Sequence, residues 1–409
     1  MKLCEKTDVI NNASVRIRER KHIVSVTQIA QLFFLLFLLI KPFYLQRSGT
    51  LQIGDFLLGL SFLTYFSCHK FIIDEKDKLL VGFLLSTVLI NGIYTLILGK
   101  NLMISSLYYL FNYMVISCFR AYSKDVSFLE NIRKLLCLNI IIQVVLYFSG
   151  IGEYWHGTYR YIGSYNDPNQ LGFAVISAFF ILCLLKEKYI IVYFIMTAFL
   201  IYKTYSTGML ITLLIVSAFY AIYFFRQFAF VDQITIKKQY IVIMLIAIAV
   251  ILGILIYNNK LVFDINFDRF RIDNKIHKGL NIVESFLADR NMMIITEYPV
   301  FFLFGFGEGA FNRYVGYHGE LHSTMIATCY YYGIVPYTMF VLWIWRNIKN
   351  SSKSSWPVFI ALIAEAFTLI NHRQPTFWMI FILMSIMKEN NDTSVNYYRC
   401  IRIRNNTKK

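Results

Sequence analysis

Leu79-Leu80-Val81-Gly82-Phe83-Leu84-Leu85-Ser86-Thr87-Val88-Leu89-Ile90-Asn91-Gly92-Ile93-Tyr94-Thr95-Leu96-Ile97-Leu98 carries no charged residue along its length. A helix of roughly 20 predominantly apolar residues crosses a bilayer core, where an open sheet edge cannot exist, so this run reads as a transmembrane helix. Similar runs fall near 23–45, 51–68, 102–119, 133–151, 171–186, 188–203, 206–225, 239–257, 322–345, 356–371 and 375–387. Composition agrees with the pattern. Over 409 residues the chain is 57% apolar and 16% charged, too apolar for a water-soluble fold of this length. The expected fold is all-α: a polytopic integral membrane protein with about 12 transmembrane helices and one long outer loop.

A net charge of +16 would suggest nucleic acid in a soluble protein, but here the basic residues lie between apolar runs and in the tails. That is a topology signal. With the N-terminus inside, the inner segments carry 27 Lys and Arg and the short outer connections 6, the other 7 lying in the long outer segment 258–321. Both termini are therefore expected in the cytoplasm. The chain divides into a basic tail (1–22), nine helices (23–257) with an outer loop at 152–170, the long outer loop (258–321), three helices (322–387) and a second basic tail (388–409). The first run follows a charged tail without a small-residue cleavage site, which predicts a retained anchor. Seven cysteines show no metal or redox spacing.

The outer loop from Gly152 to Gly172 is rich in turn formers. Asn166-Asp167-Pro168-Asn169 before an apolar run is a turn and N-cap signal that accounts for those residues without a ligand. Arg160, between Tyr159 and Tyr161, is the loop's one basic residue. It can meet lipid phosphate at the interface or face a cavity.

In the long segment, Lys278 to Tyr298 predicts an amphipathic helix, with Val283, Phe286, Leu287 and Ile294 at three- and four-residue spacing. Arg290 shares that face, and a cation on a buried face needs an anion, either a ligand or an internal salt-bridge partner. Gly305-Phe306-Gly307-Glu308-Gly309 superficially matches a phosphate-binding loop, but no strand-turn-helix unit surrounds it, and a flexible turn is expected. His318, Glu320 and His322 follow, then a helix whose first half ends at Gly333. Imidazole at a helix mouth can accept a proton near neutral pH or serve as a cap. The pair His318 and His322 lacks a third ligand at recognisable spacing, so no metal is expected. Within the runs, Asp55, Asn91 and Glu365 stand out, since intramembrane carboxylates carry function by default; Asp55 lies near the outer end of its span, where water can reach it, while Glu365 sits mid-span as in a proton-coupled transporter.

The ordered set resembles the bacterial O-antigen polymerase and O-antigen ligase superfamily: an outer-loop arginine followed by Gly163 and Pro168-Asn169, then Arg290, Tyr298-Pro299, Gly305-Phe306-Gly307, and His322-Ser323 opening a helix. It covers about residues 150 to 345. The resemblance implies a metal-independent glycosyltransferase of the cytoplasmic (inner) membrane. On the outer face it would move glycan from an undecaprenyl-pyrophosphate carrier to a sugar of another lipid-linked repeat unit of O-antigen, capsule or exopolysaccharide. Arg160 and Arg290 would hold the pyrophosphate, His322 or Glu320 the acceptor hydroxyl, and Asn169 and Tyr161 would line the site. Where family members show Ser-Arg-Gly, this chain has Ser206-Thr207-Gly208, and Lys203 would supply that charge. No cofactor or nucleic acid is implied. A chain-length regulator and a flippase of the same pathway are the implied partners. The rival readings are a ligase acting on lipid A core, a flippase of lipid-linked oligosaccharide, and a membrane scaffold.

Overall fold

The computed structural model describes residues 25–44, 52–99, 101–229, 288, 290–309 and 320–389. The expected run at 239–257 lies outside them, as does His318. The described chain is overwhelmingly helical: α1 Val26–Ile40, α2 Ile53–Cys68, α3 Lys78–Leu98, α4 Met103–Tyr122 and α5 Val126–Phe148. A small antiparallel hairpin follows, β1 Glu153–Tyr154 and β2 Tyr161–Gly163. Then come α6 Pro168–Leu184, α7 Ile190–Thr204, α8 Thr207–Ala229, the short α9 Met293–Glu297 and α10 Phe301–Phe304. Four helices complete the fold: α11 Thr324–Tyr332, α12 Ile334–Ile348, α13 Trp356–Ala366 and α14 Pro375–Glu389.

Among the described residues two helical stretches, Glu75–Leu98 and Val126–Phe148, are long and apolar enough to cross a membrane. Only 22% and 28% of the most apolar parts of those two are buried. A core helix of a soluble protein would be covered instead. Leu96, Phe148, Ile191 and Val335 all point outward, forming an apolar exterior. At the centre sits α14, buried all round from Phe377 to Ser385, as a helix apolar on every face must be. It packs on α4, α6 and α12.

Polar contacts collect at two opposite ends, so successive long helices from α1 to α8 run in alternating directions. At one end Arg120 pairs bidentately with Asp77 at 2.9 and 2.7 Å, Trp343 donates to Asp77 at 2.9 Å, and Arg133 pairs with Glu187. At the other, here the mouth, Ser164 donates to the Pro42 carbonyl at 2.9 Å and Lys41 pairs with Asp55 at 2.6 Å. Asp55, one of the carboxylates that stood out within the runs, is thus paired at this end.

The tenth run is two helices. Gly333, at φ 79 and ψ 171, ends α11 and starts α12 in a backbone region open essentially to glycine alone. The break leaves carbonyls without helical partners, and Tyr331 O accepts from the N–H groups of Phe306 and Gly307 at 2.9 and 2.8 Å. The glycine turn, expected to be flexible, is therefore packed into the break. A Cβ on Gly333 would lie 2.6 Å from Leu303 O. Gly333→Ala should therefore lower the melting temperature of detergent-solubilised protein by several degrees, backbone strain alone costing about 1–3 kcal/mol. Gly99→Ala, with φ 62 but open space around its Cβ, is the control for strain without collision and should shift it less. Equal shifts would deny the role of the close approach.

Candidate functional site

The residues singled out in the two outer loops form two groups of neighbours, Arg160 with Asn169 and Arg290 with His322. Asp167 caps α6, its side chain accepting from the N–H groups of Asn169 and Gln170 at 2.7 and 3.2 Å, with Pro168 in the first turn where no N–H is needed. That cap fixes Asn169, whose Oδ1 accepts from Ser206 Oγ at 2.8 Å and from Arg160 Nη2 at 3.3 Å. Arg160 also donates from Nε to Thr204 O at 2.9 Å and lies 5.5 Å from the Trp155 ring centre. It is half-buried and aimed by the hairpin, since Trp155 N–H donates to Arg160 O at 2.9 Å.

Two expected contributors are placed differently. Tyr161 was expected to line the site, but its ring is fully buried and its hydroxyl donates to Gln143 O at 3.0 Å, so it supports the hairpin from inside and offers no surface to a ligand. Its position on β2 turns it inward, under Tyr147 and Tyr154. Lys203 was expected to replace the missing arginine, yet its ammonium lies over the Tyr147, Phe199 and Tyr202 rings at 5.2, 5.8 and 5.6 Å. Cation–aromatic attraction draws it to that cluster.

Arg290 was expected on the apolar face of one helix running to Tyr298. In the described part Ala288 is helical and a turn follows, in which Asn291 N–H donates to Ala288 O at 3.1 Å and Asn291 adopts φ 55, before the short α9. Asparagine tolerates that left-handed conformation, which stops a helix. Arg290 and Ile294 therefore do not share a helical face. Residues 278–287 lie outside the described part, Val283, Phe286 and Leu287 among them.

The turn brings Arg290 to His322. His322 N–H donates to Arg290 O at 3.0 Å, Arg290 Nη1 approaches His322 O at 3.5 Å, and Asn291 Nδ2 donates to Glu320 O at 3.0 Å. Segment 320–322 is thus laced alongside 290–291. The helix cap of α11 is the next residue, Ser323, which accepts from Ile326 N–H at 3.1 Å. His322 is not the cap, and its side chain is exposed at the mouth. Desolvation first, then the positive charge of Arg290, hold its imidazole below the usual histidine range, while Glu320 and Asp167 pull the other way. Gly208, just after Ser206, lies against Thr368, and Leu369 O accepts from Thr324 N–H at 2.8 Å, so the start of α8 beside Asn169 and the start of α11 after His322 sit at the same end.

Behind the mouth lies a buried polar network that sequence reasoning missed. Arg373, in the connection between α13 and α14, donates from Nη2 to Glu308 at 2.6 Å and forks onto Glu320 at 2.9 and 3.0 Å. Glu308 is 1% exposed. Burial alone would raise its carboxyl, but Arg373 with His372 holds it well below the usual carboxylate range. Tyr332 donates to Glu308 at 2.6 Å, Glu308 N–H donates to Asn91 Oδ1 at 3.1 Å, and Asn91 donates to Ser106 at 2.9 Å. Asn91 is therefore a member of this network. Glu365, 1% exposed, takes a hydrogen bond from Asn371 and leaves Oε2 without a partner among the described residues. Glu320, expected as an alternative base, is paired with Arg373 in this structure.

Among the described residues no group of three or more His, Cys, Asp or Glu side chains can hold a metal. Arginines in quantity beside a histidine suit an anionic ligand with a nearby proton transfer. No protein-family model matches this chain, and no curated protein sequence matches it.

Proposed function

We propose that the chain is an integral membrane protein of about twelve spans that polymerises lipid-linked oligosaccharide repeat units on the outer face of a bacterial cytoplasmic membrane. The observation that carries the reading is the pairing of Arg290 with His322, while Arg160 and Asn169 of a separate loop are paired at the same end of the bundle. The apolar exterior and the inner-side excess of Lys and Arg support the membrane placement.

In this reading the pyrophosphate of a polyprenyl-linked donor lies against the planar forks of Arg160 and Arg290, which stabilise the charge that grows as the sugar C1–O bond breaks. The acceptor hydroxyl attacks C1, its proton passes to the neutral imidazole of His322, and the carrier pyrophosphate departs. No nucleotide sugar takes part.

A transporter of lipid-linked glycan is the second reading. The helix broken at Gly333 and the buried charges behind it are features that transporters also use. A deletion strain separates the two, and a ligase from both. Single repeats on the carrier or on lipid A are the expected result. Full-length chains stranded on the carrier would point to the ligase, and absence of repeats outside the membrane to the transporter.

A further inference from the structure

One guanidinium here meets two carboxylates of unlike character. Glu308 is fixed from several sides, by Tyr332 at 2.6 Å, by Asn91 through its own N–H, and by the His372 ring at 3.8 Å. It cannot leave without stranding a buried charge. Glu320 has a side chain 44% exposed, and its two oxygens take Nη1 and Nη2 of Arg373 in the fork geometry that a phosphate also takes. Glu320 is the more exposed partner of this pair, the Arg373 side chain being 25% exposed. Arg373 Nε is buried and has no hydrogen-bond partner among the described residues, so the guanidinium keeps a donor that neither carboxylate satisfies.

We propose that Arg373 is a third anion-binding arginine of the mouth, and that Glu320 occupies its fork as an internal carboxylate which the donor's phosphate displaces. The inference rests on the polymerase reading, from which it takes its ligand. Arg290 and Arg373 flank the same three residues, because segment 320–322 is laced to 290–291 on one side and bound through Glu320 to Arg373 on the other. A phosphate carries more charge than the carboxylate it replaces, while Glu308 stays as the fixed counter-charge. The displaced Glu320 remains two residues from His322, where its negative charge favours the protonated ring. Donor binding and proton acceptance are thereby linked.

The test is equilibrium binding of undecaprenyl pyrophosphate to the full-length protein in detergent. Glu320→Gln removes the competing charge from an exposed position and should tighten binding by roughly 10-fold, the scale of one charge-assisted hydrogen bond. Arg373→Lys keeps a cation beside Glu308, so the fold is preserved, but it loses the fork and should weaken binding by a similar factor. Phosphatidylglycerol should compete poorly in both. If the wild-type protein binds the carrier and Glu320→Gln binds it no more tightly, the exchange is wrong and the polymerase reading stands. If the wild-type protein binds none, both fall. Equal affinity for phosphatidylglycerol would assign Arg373 to a bilayer headgroup and overturn the proposal.

Discussion

His322→Ala should accumulate in the membrane at normal levels and leave glycan as single repeats. Loss of a general base typically lowers the rate about 10²–10⁴-fold, whereas loss of a helix cap costs about 1 kcal/mol of stability. The structure separates these effects, since the cap is Ser323 and the His322 side chain is exposed. Folding has little reason to depend on the imidazole. The pH profile of the wild type carries the same argument. A base works when deprotonated, and desolvation with the Arg290 charge lowers this imidazole below its ordinary value near 6.5. The polymerisation rate should therefore be level around pH 7 and fall only as the pH drops through a value under 6.5. Purified protein with lipid-linked repeats, assayed across that range, measures it. A variant that polymerises normally would move the base elsewhere, with Glu320 next to test; a variant that vanishes from the membrane would make the histidine structural.

Arg290→Lys should fail nearly as badly as Arg290→Ala in donor turnover, because an ammonium keeps the charge and loses the bidentate fork. Charge-assisted hydrogen bonds are worth about 1.5–3 kcal/mol, so roughly 10- to 100-fold in kcat/KM is expected for each variant. The two substitutions should differ in one respect. Alanine removes a positive charge that disfavours imidazolium, so the acidic limb of the pH profile moves to higher pH. Lysine keeps the charge, and the limb should stay near the wild-type position. A fully active lysine variant would reduce Arg290 to a generic cation, and an unmoved limb in the alanine variant would deny its electrostatic contact with His322.

The sequence alone determined the features that are local in the chain. Charge-free runs such as 79–98 dictate helices because nothing else satisfies their backbone where water is scarce. Asp167-Pro168 writes its own N-cap, Gly333 its own helix break, and the alternating Lys and Arg excess indicates which connections share an end. Arg160, Arg290 and His322 were legible as single residues out of keeping with their surroundings. The pairing of Arg290 with His322 was not. The turn at Asn291 that carries Arg290 to His322 breaks the helix which the apolar spacing had extended to Tyr298, because a left-handed asparagine outweighs periodicity at that point. Tyr161 could not be told from a ligand-facing aromatic until β2 turned it inward, and Glu308 read as part of an open glycine turn. Only tertiary structure places Glu308 against Arg373, 65 residues away, and Glu320 against the same guanidinium, 53 residues away. Such pairs depend on which helices become neighbours, and helix packing is set by the whole bundle's shape, which no stretch of the chain near either residue encodes.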